Sequence, residues 1–122
     1  MDHHIRDIRL AAEGGRRIAW AAKEMPVLAM AARGTDARCF GRKKIAACLH
    51  VTSETANLVI ALKACGARVV LAASNPLSTQ DDVAACLVKD HGVAVFGVKG
   101  ESARRYHDNL RAAAAMKPDI VI

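Results

Sequence analysis

From Lys44 onward the sequence alternates short apolar runs with longer helical patterns, and this alternation constrains the fold more than any other feature of the chain. Apolar runs of strand length occur at 45–49, 68–72, 93–96 and 118–122. Helical patterns lie between them, at about 53–65, 78–89 and 102–116. Strands that are joined by helices form parallel sheets through right-handed crossovers. The alternation therefore predicts an α/β fold with a parallel sheet.

The predicted fold class is a three-layer α/β domain with a parallel sheet of about four strands, a Rossmann-like or flavodoxin-like partial domain preceded by amino-terminal helices. Residues 5–33 carry an apolar stripe at helical spacing, although Gly14 and Gly15 weaken its middle. Pro26 suits the first turn of a second short helix within this stretch. Residues 34–43 have mixed charge and are predicted to be a loop.

This pattern predicts two parts, a helical segment over 1–43 and a parallel α/β part over 44–122. His3 and His4 precede the first apolar stripe and are expected to belong to a disordered end. The fourth predicted strand has no residue beyond it, whereas ligand contacts are expected in the loop that follows each strand. We therefore expect that this polypeptide is cut short, and that its parallel α/β part is incomplete.

Charge and hydropathy exclude several classes of protein. The net charge is +6, but aromatic residues make up only 3% of the chain, so no platform for stacking nucleic-acid bases is expected. We therefore predict no nucleic-acid partner. No apolar run approaches the roughly 20 residues that a membrane span needs, and the amino terminus lacks the apolar block of a secretory signal. The expectation is a soluble, cytoplasmic protein with no membrane partner.

Cysteine and glycine spacing argues against the common metal and dinucleotide motifs. The cysteines are Cys39, Cys48, Cys65 and Cys86, and none of them forms a Cys-x-x-Cys pair. A zinc ribbon or a thioredoxin-type site therefore has no support, and each cysteine is expected to be a small buried hydrophobe. The eight glycines contain no Gly-x-Gly-x-x-Gly, so this chain has no dinucleotide fingerprint.

Candidate functional residues follow the predicted strands. In parallel sheets, ligands bind outside the carboxyl ends of the strands, which here are followed by 50–54, 73–78 and 99–101. His50 can exchange protons near neutral pH, or it can be a polar cap on the next helix. Glu54 can accept hydrogen bonds from the amino group of a heterocycle, or it can simply be favoured by the helix dipole. Spacing alone does not choose between these interpretations.

Three blocks together resemble the amino-terminal part of the substrate-binding domain of S-adenosylhomocysteine hydrolase (adenosylhomocysteinase). The first block is 48–58, with the sequence CLHVTSETANL. The second is 73–87, ASNPLSTQDDVAACL, which matches the family signature at every position. The third is 98–101, VKGE. The resemblance extends in order over nearly the whole chain.

The resemblance implies reversible hydrolysis of S-adenosylhomocysteine to adenosine and homocysteine, with NAD as the cofactor. In that family, oxidation of the ribose 3′-hydroxyl acidifies the 4′-hydrogen, homocysteine leaves, water adds and the ketone is reduced again. The resemblance also implies a small-molecule substrate and assembly into a homo-oligomer. Because the NAD-binding domain is expected to be absent from these 122 residues, the chain alone is expected to be inactive.

The resemblance assigns roles to five residues. His50 matches the family histidine that handles protons near the 5′ position, and it is the predicted catalytic residue. Thr52 matches a substrate contact, and Glu54 matches the carboxylate that binds the adenine amino group. Leu49 and Ser74 match positions that line the adenosine pocket.

Three alternatives remain at the level of sequence. The chain could be a stand-alone module that binds a nucleoside without chemistry. It could be an interaction piece that pairs through an unfinished sheet edge. It could also belong to a related hydrolase that prefers S-inosylhomocysteine, although Glu54 favours an amino group as its partner.

Overall fold

A computed structural model describes residues 2–122 and confirms the predicted fold class. The strands are β1 Lys44–Leu49, β2 Arg68–Ala73, β3 Ala94–Phe96 and β4 Ile120–Val121. The helices are α1 Ala11–Ala22, α2 Pro26–Arg33, α3 Ser53–Ala64, α4 Asp81–His91 and α5 Ala103–Ala114. A single 3₁₀ turn, Ile8–Leu10, leads into α1. Within residues 2–122, no helix combines the length and the apolar character that crossing a bilayer requires.

The sheet has the strand order β3-β2-β1-β4, and every strand pair in it is parallel. This order is that of a Rossmann-type half, not the flavodoxin order, because the chain moves outward from β1 to β3 and then returns to the other side of β1. The strand order therefore reverses between β1 and β4. In open parallel sheets such a reversal opens a crevice at the carboxyl ends of the two strands, which is where ligands bind.

Side chains alternate between the two faces of the sheet. Ile45 and Leu71 belong to a core cluster that also includes residues of α1, α3 and α4. Val70 and Phe96 point to the opposite face and pack with Ala113 of α5. The fold therefore has helices on both faces of the sheet, which explains why its strands are apolar at nearly every position.

Local sequence signals explain several helix ends. Thr52 and Ser102 cap α3 and α5, and each accepts a hydrogen bond from a backbone N–H one turn along the helix. Gly92 ends α4 in the left-handed region, with φ of +61°. The prediction that a helix opens at Ser78 is wrong. The N-cap of α4 is Gln80, because Thr79 still pairs with Val51 in a parallel bridge.

The amino terminus extends the sheet, and the prediction of a disordered end at His4 is wrong. The His4 N–H donates to the Val95 carbonyl at 2.9 Å, and the Gly97 N–H donates to the His4 carbonyl at 2.8 Å. His4 thereby forms a parallel bridge with Phe96 at the edge of the sheet. The edge of β3 offers free backbone groups, and this pairing satisfies them.

The same contact brings the His4 imidazole to a buried carboxyl group. His4 Nδ1 lies 3.8 Å from Oε2 of Glu101, whose side chain is only 2% exposed. Asn109 Nδ2 donates to the same oxygen at 2.7 Å. Burial raises the pKa of Glu101, while the charges of His4 and Arg105 and the Asn109 hydrogen bond oppose the increase.

This raised pKa gives a testable dependence of stability on pH. The folded chain binds the Glu101 proton more tightly than the unfolded chain, so stability falls as pH rises from the ordinary pKa of 4.5 to the raised pKa and is level above it. We expect the free energy of unfolding of wild type, minus that of Glu101→Gln, to decrease through this pH window and then to stay level. Urea unfolding over a pH series measures this difference. A difference that is constant with pH would contradict the prediction.

Two glycines in α1 have different surroundings. An ideal Cβ built on Gly14 would lie 1.9 Å from the carbonyl oxygen of Asp82 in α4. At Gly15 the nearest atom to such a Cβ is Cys86 Sγ, at an ordinary 3.6 Å. Gly14 therefore allows the backbones of α1 and α4 to touch, which corrects the expectation that both glycines merely weaken the helix.

The prediction that all the cysteines are buried is wrong for two of them. Cys65 and Cys86 are buried, whereas Cys39 and Cys48 are exposed. Cys39 lies in the loop before β1. Cys48 shares with Ala46 the face toward α5 but is not part of the cluster that packs on α5, although Ala72, its partner on β2, is. Burial there depends on which strands α5 covers, which the local sequence of β1 does not encode.

Candidate functional site

The loops that follow β1, β2 and β3 are hydrogen-bonded to one another. The Val51 N–H donates to the Ser78 carbonyl, and the Gln80 N–H donates to the Val51 carbonyl, both at 2.8 Å. The Gly100 N–H donates to the Pro76 carbonyl at 2.7 Å. The three sequence blocks 48–58, 73–87 and 98–101 thus meet at the carboxyl ends of the strands.

His50 and Thr52 form the turn between β1 and α3. His50 directly follows β1, its side chain is exposed, and its carbonyl accepts from the Thr52 N–H at 3.0 Å. The Thr52 hydroxyl caps α3 by accepting from the Thr55 N–H at 3.5 Å. The alternative interpretation of His50 as the helix cap is therefore wrong. Its imidazole stays accessible at the edge where the crevice opens.

Glu54 lies in the first turn of α3 with an exposed side chain. Its Oε2 accepts from the Ser53 hydroxyl at 3.2 Å. Hydrogen bonds from its own backbone N–H and from the hydroxyls of Ser53 and Thr52 lower its pKa, with partial burial acting in the opposite direction. Glu54 is therefore an ionised acceptor at neutral pH, and the helix dipole stabilises its charge.

Gln80, in the loop after β2, hydrogen-bonds to the turn between β1 and α3, and the sequence did not predict this contact. Its side-chain Oε1 accepts from the Ser53 N–H at 3.1 Å, which satisfies a free donor at the start of α3. The two residues are 27 positions apart, so no local spacing rule connects them. Only the pairing of the two loops shows the contact.

Leu49 and Ser74 lie at the ends of neighbouring strands. The Ser74 N–H donates to the Leu49 carbonyl at 3.1 Å, and Leu49 is half-buried against the main core. The Tyr106 hydroxyl of α5 donates to the Ser74 carbonyl at 3.0 Å. Ser74 Oγ is buried and has no hydrogen-bond partner within residues 2–122. Tyr106 was not foreseen, because it lies 32 residues from Ser74.

The five predicted site residues therefore lie at the ends of two adjacent strands. Leu49 and Ser74 are in direct hydrogen-bond contact, and His50, Thr52 and Glu54 lie on the turn that leads into α3. His50 and Glu54 are exposed, so this part of the site is an open edge. The end of β4 is beside it, since the Cys48 N–H donates to the Ile122 carbonyl at 2.8 Å.

Comparison with known proteins places this chain in a family. The family model for S-adenosyl-L-homocysteine hydrolase matches residues 2–122. The chain belongs to the S-adenosyl-L-homocysteine hydrolase family. It is 54% identical to an adenosylhomocysteinase of Gloeobacter violaceus over 98% of the chain. It is also 51% identical to that of Aquifex aeolicus and 45% identical to that of Pyrococcus abyssi, over 100% and 99% of the chain.

The match covers only part of these relatives. The chain spans 28% of the Gloeobacter protein and 29% of the Aquifex and Pyrococcus proteins, and it matches their amino-terminal part. The resemblance to the hydrolase family that the three sequence blocks indicated is therefore confirmed. The roles of individual residues in the site stay predictions.

Proposed function

We propose that this chain supplies the adenosine-binding residues for the reversible hydrolysis of S-adenosylhomocysteine to adenosine and homocysteine. The observation that carries this proposal is the meeting of the three family blocks at the carboxyl ends of the strands, beside the point where the strand order reverses. Family membership supports the choice of substrate. Assembly into a cytoplasmic homo-oligomer, which the family resemblance implies, is part of the same proposal.

The residues of the turn suit a neutral nucleoside. The ionised Glu54 carboxylate accepts a hydrogen bond from the adenine amino group. Thr52 contacts the nucleoside, while Leu49 and Ser74 line its pocket, where the unpartnered Ser74 Oγ is a hydrogen-bonding group close to the strand end. His50, whose side chain is exposed directly after β1, exchanges a proton near the 5′ position.

The same turn does not fit NAD, the cofactor on which the family reaction depends. A dinucleotide site at the first strand-to-helix turn uses glycines and free backbone N–H groups to hold the pyrophosphate. Here the turn 50–53 has no glycine. The Ser53 N–H donates to Gln80, the Thr55 N–H donates to Thr52, and the Glu54 carboxylate lies over the helix end. We derive no step of the reaction through NAD from these residues.

Adenosine binding tests the proposal directly. We expect isothermal titration of the purified 122-residue protein with adenosine to show saturable binding at one site. Purine riboside, which lacks the exocyclic amino group, is the matched ligand, and it should bind more weakly because the Glu54 carboxylate then has no amino donor to accept from. No binding of adenosine to protein whose circular dichroism shows a folded α/β domain would contradict the proposal.

A further inference from the structure

The amino-terminal strap, residues 4–10, runs from the edge of β3 to the start of α1. His4 fixes one end of the strap by pairing with Phe96. Asp7 fixes the other end by capping the 3₁₀ turn, where its Oδ1 accepts from the Arg9 N–H at 2.9 Å. Arg6 lies between these two anchors, which limits where its guanidinium can reach.

Arg6 connects the start of α4 to the loop that follows β3. Its Nε donates to Asp81 Oδ2 at 2.7 Å, and its Nη2 donates to the Lys99 carbonyl at 2.6 Å. The Lys99 N–H completes the triangle by donating to Asp81 Oδ1 at 3.1 Å. The strap, the start of α4 and the loop after β3 are thus joined through one guanidinium.

The start of α4 in turn fixes the residues on both sides of Thr52. Gln80 precedes Asp81 in the chain, its N–H donates to the Val51 carbonyl, and its side chain accepts from the Ser53 N–H. Gln80 thus joins Asp81 to the turn between β1 and α3. Arg6 reaches that turn through two intermediates and does not itself contact a candidate site residue.

We propose that Arg6 is a positioning residue, which holds the turn 50–54 in its binding geometry through Asp81 and Gln80. The inference rests on the proposed function, because a well-ordered turn 50–54 matters for binding only if that turn binds the nucleoside. The Arg6 side chain is 51% exposed, so its ion pair with Asp81 adds little to global stability. The effect of removing it should be local, in the two loops and the turn. A lysine cannot replace it fully, since an ammonium lacks the planar fork that donates in two directions.

Amide hydrogen exchange tests the positioning role without a ligand. In Arg6→Gln we expect the amides of Val51, Ser53 and Lys99 to exchange about tenfold faster, because these loops open locally more often. Amides of the central strand β2 should keep their wild-type rates, and Arg6→Lys should be intermediate. Wild-type exchange at Val51 and Ser53 in Arg6→Gln would overturn the inference.

Arg9→Gln is the matched control on the same strap. Within residues 2–122, the Arg9 guanidinium bonds only to the carboxylate of Asp7, at 2.8–3.1 Å, so its loss should leave exchange at Val51 and Ser53 unchanged. Equal acceleration in Arg6→Gln and Arg9→Gln would show a general effect of charge on the strap and would overturn the inference.

Adenosine affinity gives a second measurement. We expect Arg6→Gln to weaken binding roughly three- to tenfold, as an effect of disorder in the turn. Faster exchange together with unchanged affinity would overturn the positioning role. If wild-type protein binds no adenosine, the proposed function fails, and the exchange rates still decide whether Arg6 orders the turn.

Discussion

Gly14→Ala should destabilise the fold by roughly 3 kcal/mol, the upper part of the usual range for overpacking a core. The added Cβ would lie 1.9 Å from the Asp82 carbonyl oxygen and 2.4 Å from the carbonyl carbon, so α1 and α4 must separate. Both contacts are backbone atoms, which cannot rotate away as a flexible side chain can. Separation would also disturb Asp82, which is buried and whose Oδ2 lies 2.8 Å from Arg17 Nε.

Gly15→Ala is the control, with the opposite expected sign. Its Cβ would be 3.6 Å from Cys86 Sγ, which is ordinary contact, and alanine favours a helix interior over glycine by about 1 kcal/mol. Thermal and urea unfolding of both variants measure the two effects. Equal changes in stability for Gly14→Ala and Gly15→Ala would show that helix propensity, not the approach of α1 to α4, decides the result.

Glu54→Gln should weaken adenosine binding about tenfold, since hydrogen bonds to a charged group are worth roughly 1–1.5 kcal/mol more than neutral ones. Glutamine has the same shape and keeps a cap-compatible acceptor at the start of α3, so the fold should persist. Titration calorimetry measures the dissociation constant of each variant. Glu24→Gln, an exposed acid just after α1, is the matched control and should bind adenosine as wild type does.

Inosine separates the adenine-binding role of Glu54 from a general electrostatic one. Inosine has a carbonyl oxygen where adenosine has an amino group, so an ionised carboxylate should disfavour it there. We expect wild type to prefer adenosine and Glu54→Gln to lose most of that preference. An unchanged preference in Glu54→Gln would contradict the assignment of Glu54 to the amino group.

The local pattern of the sequence predicted most elements well. Helix α2 begins at Pro26 as predicted and ends before the predicted loop 34–43, and β1 and β2 each differ from their predicted runs by one residue. These elements are encoded within a few residues, by apolar periodicity and by the residues that begin or end a helix. The division of the chain at residue 43 stays a prediction.

Features that depend on distant partners were not predictable in this way. The pairing of His4 with Phe96 and the bond between Gln80 and Ser53 join residues 92 and 27 positions apart, and no periodicity records either contact. The exposure of Cys48 depends on which strands α5 covers, since Ala72 beside it on β2 is buried. The need for glycine at position 14 also comes from a distant partner, because the Asp82 backbone in α4 leaves no room for a Cβ there.

The sequence by itself determined that strands alternate with helices, that the sheet is parallel, and which polar residues follow each strand. Tertiary structure decided the order β3-β2-β1-β4, and with it the place where the crevice opens and the neighbours of His50, Glu54 and Ser74. The physical reason is that apolar periodicity reports which face of an element is buried, whereas the packing of whole elements selects the partner that buries it.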